Sequence, residues 1–231
     1  GRRGMWLAAA VDEVLLKDLP AARRCSYACF AAALLVTLGS HQFAMPVKTA
    51  VFMDLVGTGL EPVAKSLVLV VLIPILISYS VLVSWCESPS GLVLVVALGY
   101  AAVYVVVVIG LVAAVGDPPA WIAWLLYYAT ETKGVVVLPM IWSVITDVTT
   151  PEVGKKAYPT LFFAMQLGGI AGSCLAIKVD SLGGVVGLLL LQAASCVLLA
   201  GLARLACRLA LAHSAEDLSA HETSPGDVRT P

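Results

Sequence analysis

The chain has 231 residues, 60% of them hydrophobic and 13% charged, about half the charged fraction of an ordinary soluble domain. Fourteen Lys and Arg against fifteen Asp and Glu leave a formal net charge of −1. That composition argues against a soluble enzyme. The missing basic excess argues against nucleic acid as a partner, because such affinity scales with the number of phosphates neutralised. The charges also crowd toward the ends: eight lie in residues 1–24, seven in 204–231 and only fourteen in the 179 residues between.

The chain starts at Gly1 and has no secretory apolar region, since the stretch at 5–10 is cut off by Asp12 and Glu13, so the sequence reads as part of a longer product. Residues 1–24 form an N-terminal segment expected on the cytoplasmic side. A six-helix transmembrane domain is expected over 25–205, followed by a polar, disordered tail over 206–231.

A bilayer span needs about 20 mostly apolar residues, because backbone N–H and C=O groups in hydrocarbon must be paired within the helix. Six stretches meet this: 25–52, 66–85, 92–115, 121–145, 159–177 and 182–205. The fold class is therefore an all-α polytopic membrane protein. Turn formers separate the spans at Glu87-Ser88-Pro89, Asp117-Pro118-Pro119 and Asp180-Ser181. Between the fourth and fifth, Thr149-Thr150-Pro151-Glu152 reads as an N-cap with Pro at the first helical position, opening one surface turn before Pro159 starts the next span. Gly168 with Gly172, and Gly183 with Gly187, have the spacing that lets helix backbones approach closely.

With six spans both ends share one side, and that side holds Arg2, Arg3, Lys17, Arg23, Arg24, Lys155, Lys156, Arg204, Arg208 and Arg229. The opposite loops offer Lys65 and Lys178. Excess Lys and Arg mark the cytoplasmic or stromal side, so both termini are expected there. Trp85, Trp121 and Trp124 fall near span ends, where indole rings favour the headgroup level.

Six cysteines, Cys25, Cys29, Cys86, Cys174, Cys196 and Cys207, mostly lie in apolar runs and read as packing residues. No metal site and no catalytic set is visible, and no cofactor is expected. The segment Gly59 to Ser66 has only the outline of a phosphate loop, with no strand before it.

Three ionisable residues lie inside spans: Lys48 in the first, Glu131 and Lys133 in the fourth. Burying such a charge costs at least about 2.5 kcal/mol, so each is a functional candidate unless it snorkels to the interface. At 100° per residue Lys133 points about 200° away from Glu131, so the two face different surroundings. Glu131 is favoured for the interior, and Lys133 is left to bond a neighbouring helix or a distorted carbonyl. Pro46 stands two residues before Lys48, and Pro139 follows Glu131. Interrupted spans of this kind commonly line transporter cavities. Gln166 in the fifth span is placed either to bond a ligand or to bond a neighbouring helix, and His41 reads as a packed or cavity histidine.

The segment Tyr128-Ala-Thr-Glu131-Thr-Lys-Gly134 through Pro139, Trp142, Asp147 and Thr149-Thr150 resembles the fourth span of the plastid and intracellular-bacterial ATP/ADP translocases. Glu152-Val-Gly-Lys155-Lys156-Ala-Tyr158 resembles that family's following loop, and Lys48-Thr49-Ala50 falls at its first-span Lys motif. The resemblance is specific over 128–172. It departs at Met45, Pro46 and Thr49, where the family carries charges, and at Lys133, which replaces a Trp.

The resemblance implies one half of a major-facilitator-like bundle that exchanges ATP for ADP by alternating access. Nucleotide would be bound by Lys48 and Glu131, with Lys133 and Gln166 as further candidates. It further implies a second six-helix half, in the same polypeptide or in a homodimer, and a place in a plastid or other organelle envelope or an intracellular bacterium's plasma membrane. A proton-coupled carrier of another small solute, with Glu131 carrying the proton, and a non-transporting degenerate half remain open.

Overall fold

The computed structural model describes residues 21–222 except 87 and 115. Residues 1–20, with Arg2, Arg3 and Lys17, and residues 223–231, with Arg229, lie outside the described residues, as does Glu87. Among the described residues six long helices form and no strand: α1 (Ala21–Leu55), α2 (Glu61–Trp85), α3 (Pro89–Ala113), α4 (Ala120–Asp147), α5 (Pro151–Ile177) and α6 (Gly184–Glu222). Single 3-10 turns at Thr58–Leu60 and Asp180–Leu182 complete two of the connections.

Five of these helices, all but α4, are long and apolar enough to cross a membrane. Helix α4 is the expected fourth span, but Glu131 and Lys133 interrupt its apolar run beside Tyr127, Tyr128 and three threonines. Fourteen of its residues are buried, between Ile122 and Ile145. Thr130, Thr132 and Lys133 are turned inward, while Ser143, Thr146 and Asp147 at its end are exposed.

Local chemistry sets the ends. Ser88 caps α3, its Oγ accepting from the Gly91 N–H at 3.2 Å, and Pro89 takes the first helical position, where a missing N–H costs nothing. Pro151 opens α5 in the same way after Thr150, although the Thr150 side chain makes no cap bond. Two boundaries differ from the sequence reading. Pro159 does not start a new helix but lies inside α5, which runs unbroken from Pro151. The chain after residue 205 also does not leave the helix: α6 continues to Glu222, because residues 206–222 contain neither Pro nor Gly to stop it.

Helix α1 is the centre of the bundle, packed against α4, α5 and α6, while α3 packs on α4 and α6, and α2 rests on α4. These pairs have a symmetry. Exchanging the first three helices for the last three turns α1–α5 into α4–α2 and α1–α6 into α4–α3, and leaves α1–α4 and α3–α6 unchanged. With three helices per unit, an odd number, the second unit starts from the opposite end of the bundle, so the two units are inverted relative to each other.

Two apolar cores fill the bundle. One gathers Tyr27, Phe30, Leu34, Val93, Ile141, Ile145, Leu161 and Leu199 at the end where α1 begins. The other gathers Phe43, Phe52, Tyr104, Ile122, Tyr127 and Leu188 toward the end where α1 finishes. Helix α2 gives these cores one fully buried residue, Ala64 in the second, while its Leu69, Val70, Ile73 and Ile77 stand exposed.

The α1–α5 contact is the closest. A Cβ on Gly168 would lie 2.2 Å from the Leu35 carbonyl oxygen, and one on Gly172 would lie 2.0 Å from that of Gly39. Each step of four residues on α5 matches four on α1, so the two helices run parallel and this small-residue pair acts as expected. The second pair does not. Gly183 has φ +87° in the turn before α6, and Gly187 abuts the Leu182 carbonyl oxygen, so this pair shapes a turn rather than a helix contact. Gly172→Ala should destabilise the purified protein by about 1–3 kcal/mol through overpacking. Gly201→Ala, in α6 with open space around its α-carbon, should be neutral or slightly stabilising. Thermal unfolding of both variants in detergent checks the difference.

Candidate functional site

The seam between α1 and α4 brings Lys48 and Glu131 together. Lys48 comes from the last two turns of α1, just after Pro46, and Glu131 from the first half of α4. Because the helices are antiparallel, as the Phe52–Trp124 ring contact at 4.8 Å and the Tyr27–Thr149 bond at 2.8 Å at opposite ends require, these positions meet at one level. The Lys48 ammonium donates to Glu131 Oε1. The Lys48 side chain is 2% exposed and that of Glu131 22%, so the cation is sealed and the carboxylate opens along the seam. An isolated ammonium at this depth would be costly, and Glu131 supplies the charge that offsets it.

Aromatic rings close the site toward the far end of α1. The Lys48 Nζ lies 4.1 Å from the Tyr127 ring centroid, a cation–π contact. Tyr127 meets Phe52 at 5.0 Å, and Tyr128 stacks on Trp124 at 5.7 Å. The Tyr127 hydroxyl is buried without a hydrogen-bond partner among the described residues, in a region where buried polar groups are normally satisfied. Beyond the rings, Lys65 pairs with Glu61 at 3.1 Å on the first turn of α2, within electrostatic reach of Lys48.

Lys133 is placed elsewhere, as its angular offset requires. It is 2% exposed and donates to Ser40 Oγ at 2.7 Å. With its amide oriented to suit its neighbours, Gln192 accepts from Lys133 Nζ at 2.6 Å and from the Tyr104 hydroxyl at 3.3 Å, and donates to the Ser40 carbonyl at 2.8 Å. Tyr104 also reaches Thr130 Oγ1 at 3.4 Å. This network ties α1, α3, α4 and α6 into one polar layer between the two apolar cores. No carboxylate among the described residues lies within ion-pair distance of Lys133.

His41 sits on the seam between the two lysines, half-buried, with its ring against Gly134: a Cβ there would lie 2.6 Å from His41 Cε1. Gln166 is exposed on α5 and stands apart from the Lys48–Glu131 pair. The structure therefore joins two of the four candidates, moves Lys133 into a separate network and leaves Gln166 outside both. The sequence reading passed over Tyr127, Ser40, Tyr104 and Gln192. Gln192 had a signal, an amide inside the apolar run from Gly187 to Ala203. The tyrosines had none, since aromatic residues also serve as packing and interface groups.

No protein-family model, curated protein or solved structure matches this chain.

Removing one partner of the pair strands the other. Lys48→Met should cost about 2 kcal/mol of stability, at the low end for a buried pair because Glu131 is partly exposed. The double variant Lys48→Met/Glu131→Leu should regain most of that loss. Unfolding midpoints of the wild type, both single variants and the double variant measure this coupling.

Proposed function

We propose that the chain is one six-helix half of a membrane carrier that exchanges ATP for ADP by alternating access. The buried Lys48–Glu131 pair on the α1–α4 seam carries this reading. An intramembrane ion pair is costly to keep and tends to mark a substrate path, and α1 and α4 are the helices that the inverted-repeat pairing makes equivalent.

In this reading Lys48 attracts phosphate oxygens. Glu131 holds the ammonium in place while the site is empty and bonds ribose or base hydroxyl and amino groups when it is filled. The half-exposed stack of Tyr128 on Trp124 offers a flat apolar surface beside the charges. The five apolar helices fit a bilayer, and the exposed apolar faces of α2 and α5 fit lipid or a second half, supplied by further polypeptide or by another copy. The resemblance of 128–172 to the translocase pattern adds the nucleotide to a geometry that alone suits an anionic solute.

Labelled ATP uptake into ADP-loaded proteoliposomes tests the proposal. Uptake should require internal ADP. Lys48→Ala should lower it by roughly 10- to 100-fold, the worth of one charge-assisted hydrogen bond, while Lys178→Ala, an exposed residue between α5 and α6, should leave it unchanged. Equal uptake by the two variants would overturn the assignment of Lys48, and no uptake by a folded protein would overturn the nucleotide.

A further inference from the structure

Directly along the seam from the ion pair, toward the end where α1 begins, lies a cavity of about 240 Å³ lined by Thr37, Leu38, His41, Lys133, Gly134 and Leu138. Three observations make it more than a packing defect. Lys133 is a cation on its wall with no carboxylate in ion-pair distance among the described residues. An ammonium has three donors, and the two acceptors it meets, Ser40 Oγ and Gln192 Oε1, are both neutral. His41, on the same wall, has a buried Nδ1 with no hydrogen-bond partner among the described residues.

A buried charge without a counter-charge is costly, and a ligand of opposite sign is the direct way to offset it. We propose that this cavity binds a small monovalent anion of the halide type, drawn by the third donor of Lys133 and received by His41 once a small turn of its ring presents Nδ1–H to the cavity. One ammonium calls for one negative charge. A dianion such as hydrogen phosphate would leave an excess charge against Leu38, Leu138 and the Gly134 backbone, whereas a weakly hydrated halide tolerates apolar walls. The site is separate from the Lys48–Glu131 pair: Ser40, which marks the level of Lys133, stands eight residues from Lys48 on α1, about 12 Å along the axis. It goes beyond nucleotide exchange and stands without it, because binding is read on the resting protein.

The test is thermal unfolding of the purified full chain in detergent, followed by tryptophan fluorescence, as chloride or bromide replaces gluconate at constant ionic strength. A saturable rise in midpoint of about 3 °C is expected, retained above its own baseline in Lys48→Met and lost in Lys133→Met. Leu138→Phe, which fills the cavity without touching the polar layer, should also lose it, and decides the matter if Lys133→Met does not fold. Absence of a saturable halide response, or a response that survives Leu138→Phe, overturns the proposal. A larger response to phosphate than to chloride overturns the monovalent assignment.

Discussion

The ammonium of Lys48 must find a negative charge inside a bundle whose helices are apolar on nearly every side, and much of the arrangement follows from that requirement. The charge that answers it stands on another helix, 83 residues away, so α1 and α4 are held in one register along their seam. A one-residue shift of α4 would rotate Glu131 by about 100° and move it 1.5 Å along the axis, breaking the pair. The aromatic group of Phe52, Trp124, Tyr127 and Tyr128 reinforces the same register, since its rings come from the finishing turns of α1 and the opening turns of α4.

The second constraint is the polar layer. In hydrocarbon no hydrophobic drive brings helices together, and association rests on close packing and interhelical hydrogen bonds. The Gly39, Gly168 and Gly172 contact supplies the first for α1 and α5. Ser40, Tyr104, Lys133 and Gln192 supply the second for α1, α3, α4 and α6. Helix α2 shares in neither and rests on the bundle mainly through α4. In a carrier that rocks one half against another, the four-helix hub would move as a unit, and α2, with its apolar exposed surface, is the element free to slide against lipid or a partner half.

The six helices and most of their limits were legible because apolar length and turn residues are local signals. Pro159 was misread for the same reason. A proline reads locally as a start, but a helix already opened by Pro151 passes through a second proline when the surrounding packing holds it. Residues 206–222 differ in the opposite sense: their polarity suggested a tail, but they contain neither Pro nor Gly to stop a helix, and α6 runs through them. Of the site, Lys48 and Glu131 were visible as charges where charges are expensive, and the helical angle alone separated Glu131 from Lys133. What the sequence could not give was partnership across long separations: that Lys48 lies over Tyr127, that Ser40 and Gln192 enclose Lys133, and that Gly134 exists to seat His41.

The unequal exposure of the ion pair bears on how a site of this kind would work. If both charges were sealed, breaking the pair would require both to lose their only partner in a dry core, a cost that few ligands could meet. Here the cation is sealed and the carboxylate is not. In the proposed carrier a ligand entering along the seam would meet Glu131 first, and Glu131 would release the ammonium to the incoming anion. The anion would replace a contact instead of creating one, and the ammonium would never be left unpaired. Such an exchange would allow repeated loading and release with little net change in buried charge, as a carrier working in both directions requires. It also explains why the carboxylate belongs on α4 facing the seam, while the second lysine of that helix is turned 200° away, where it cannot compete for Glu131.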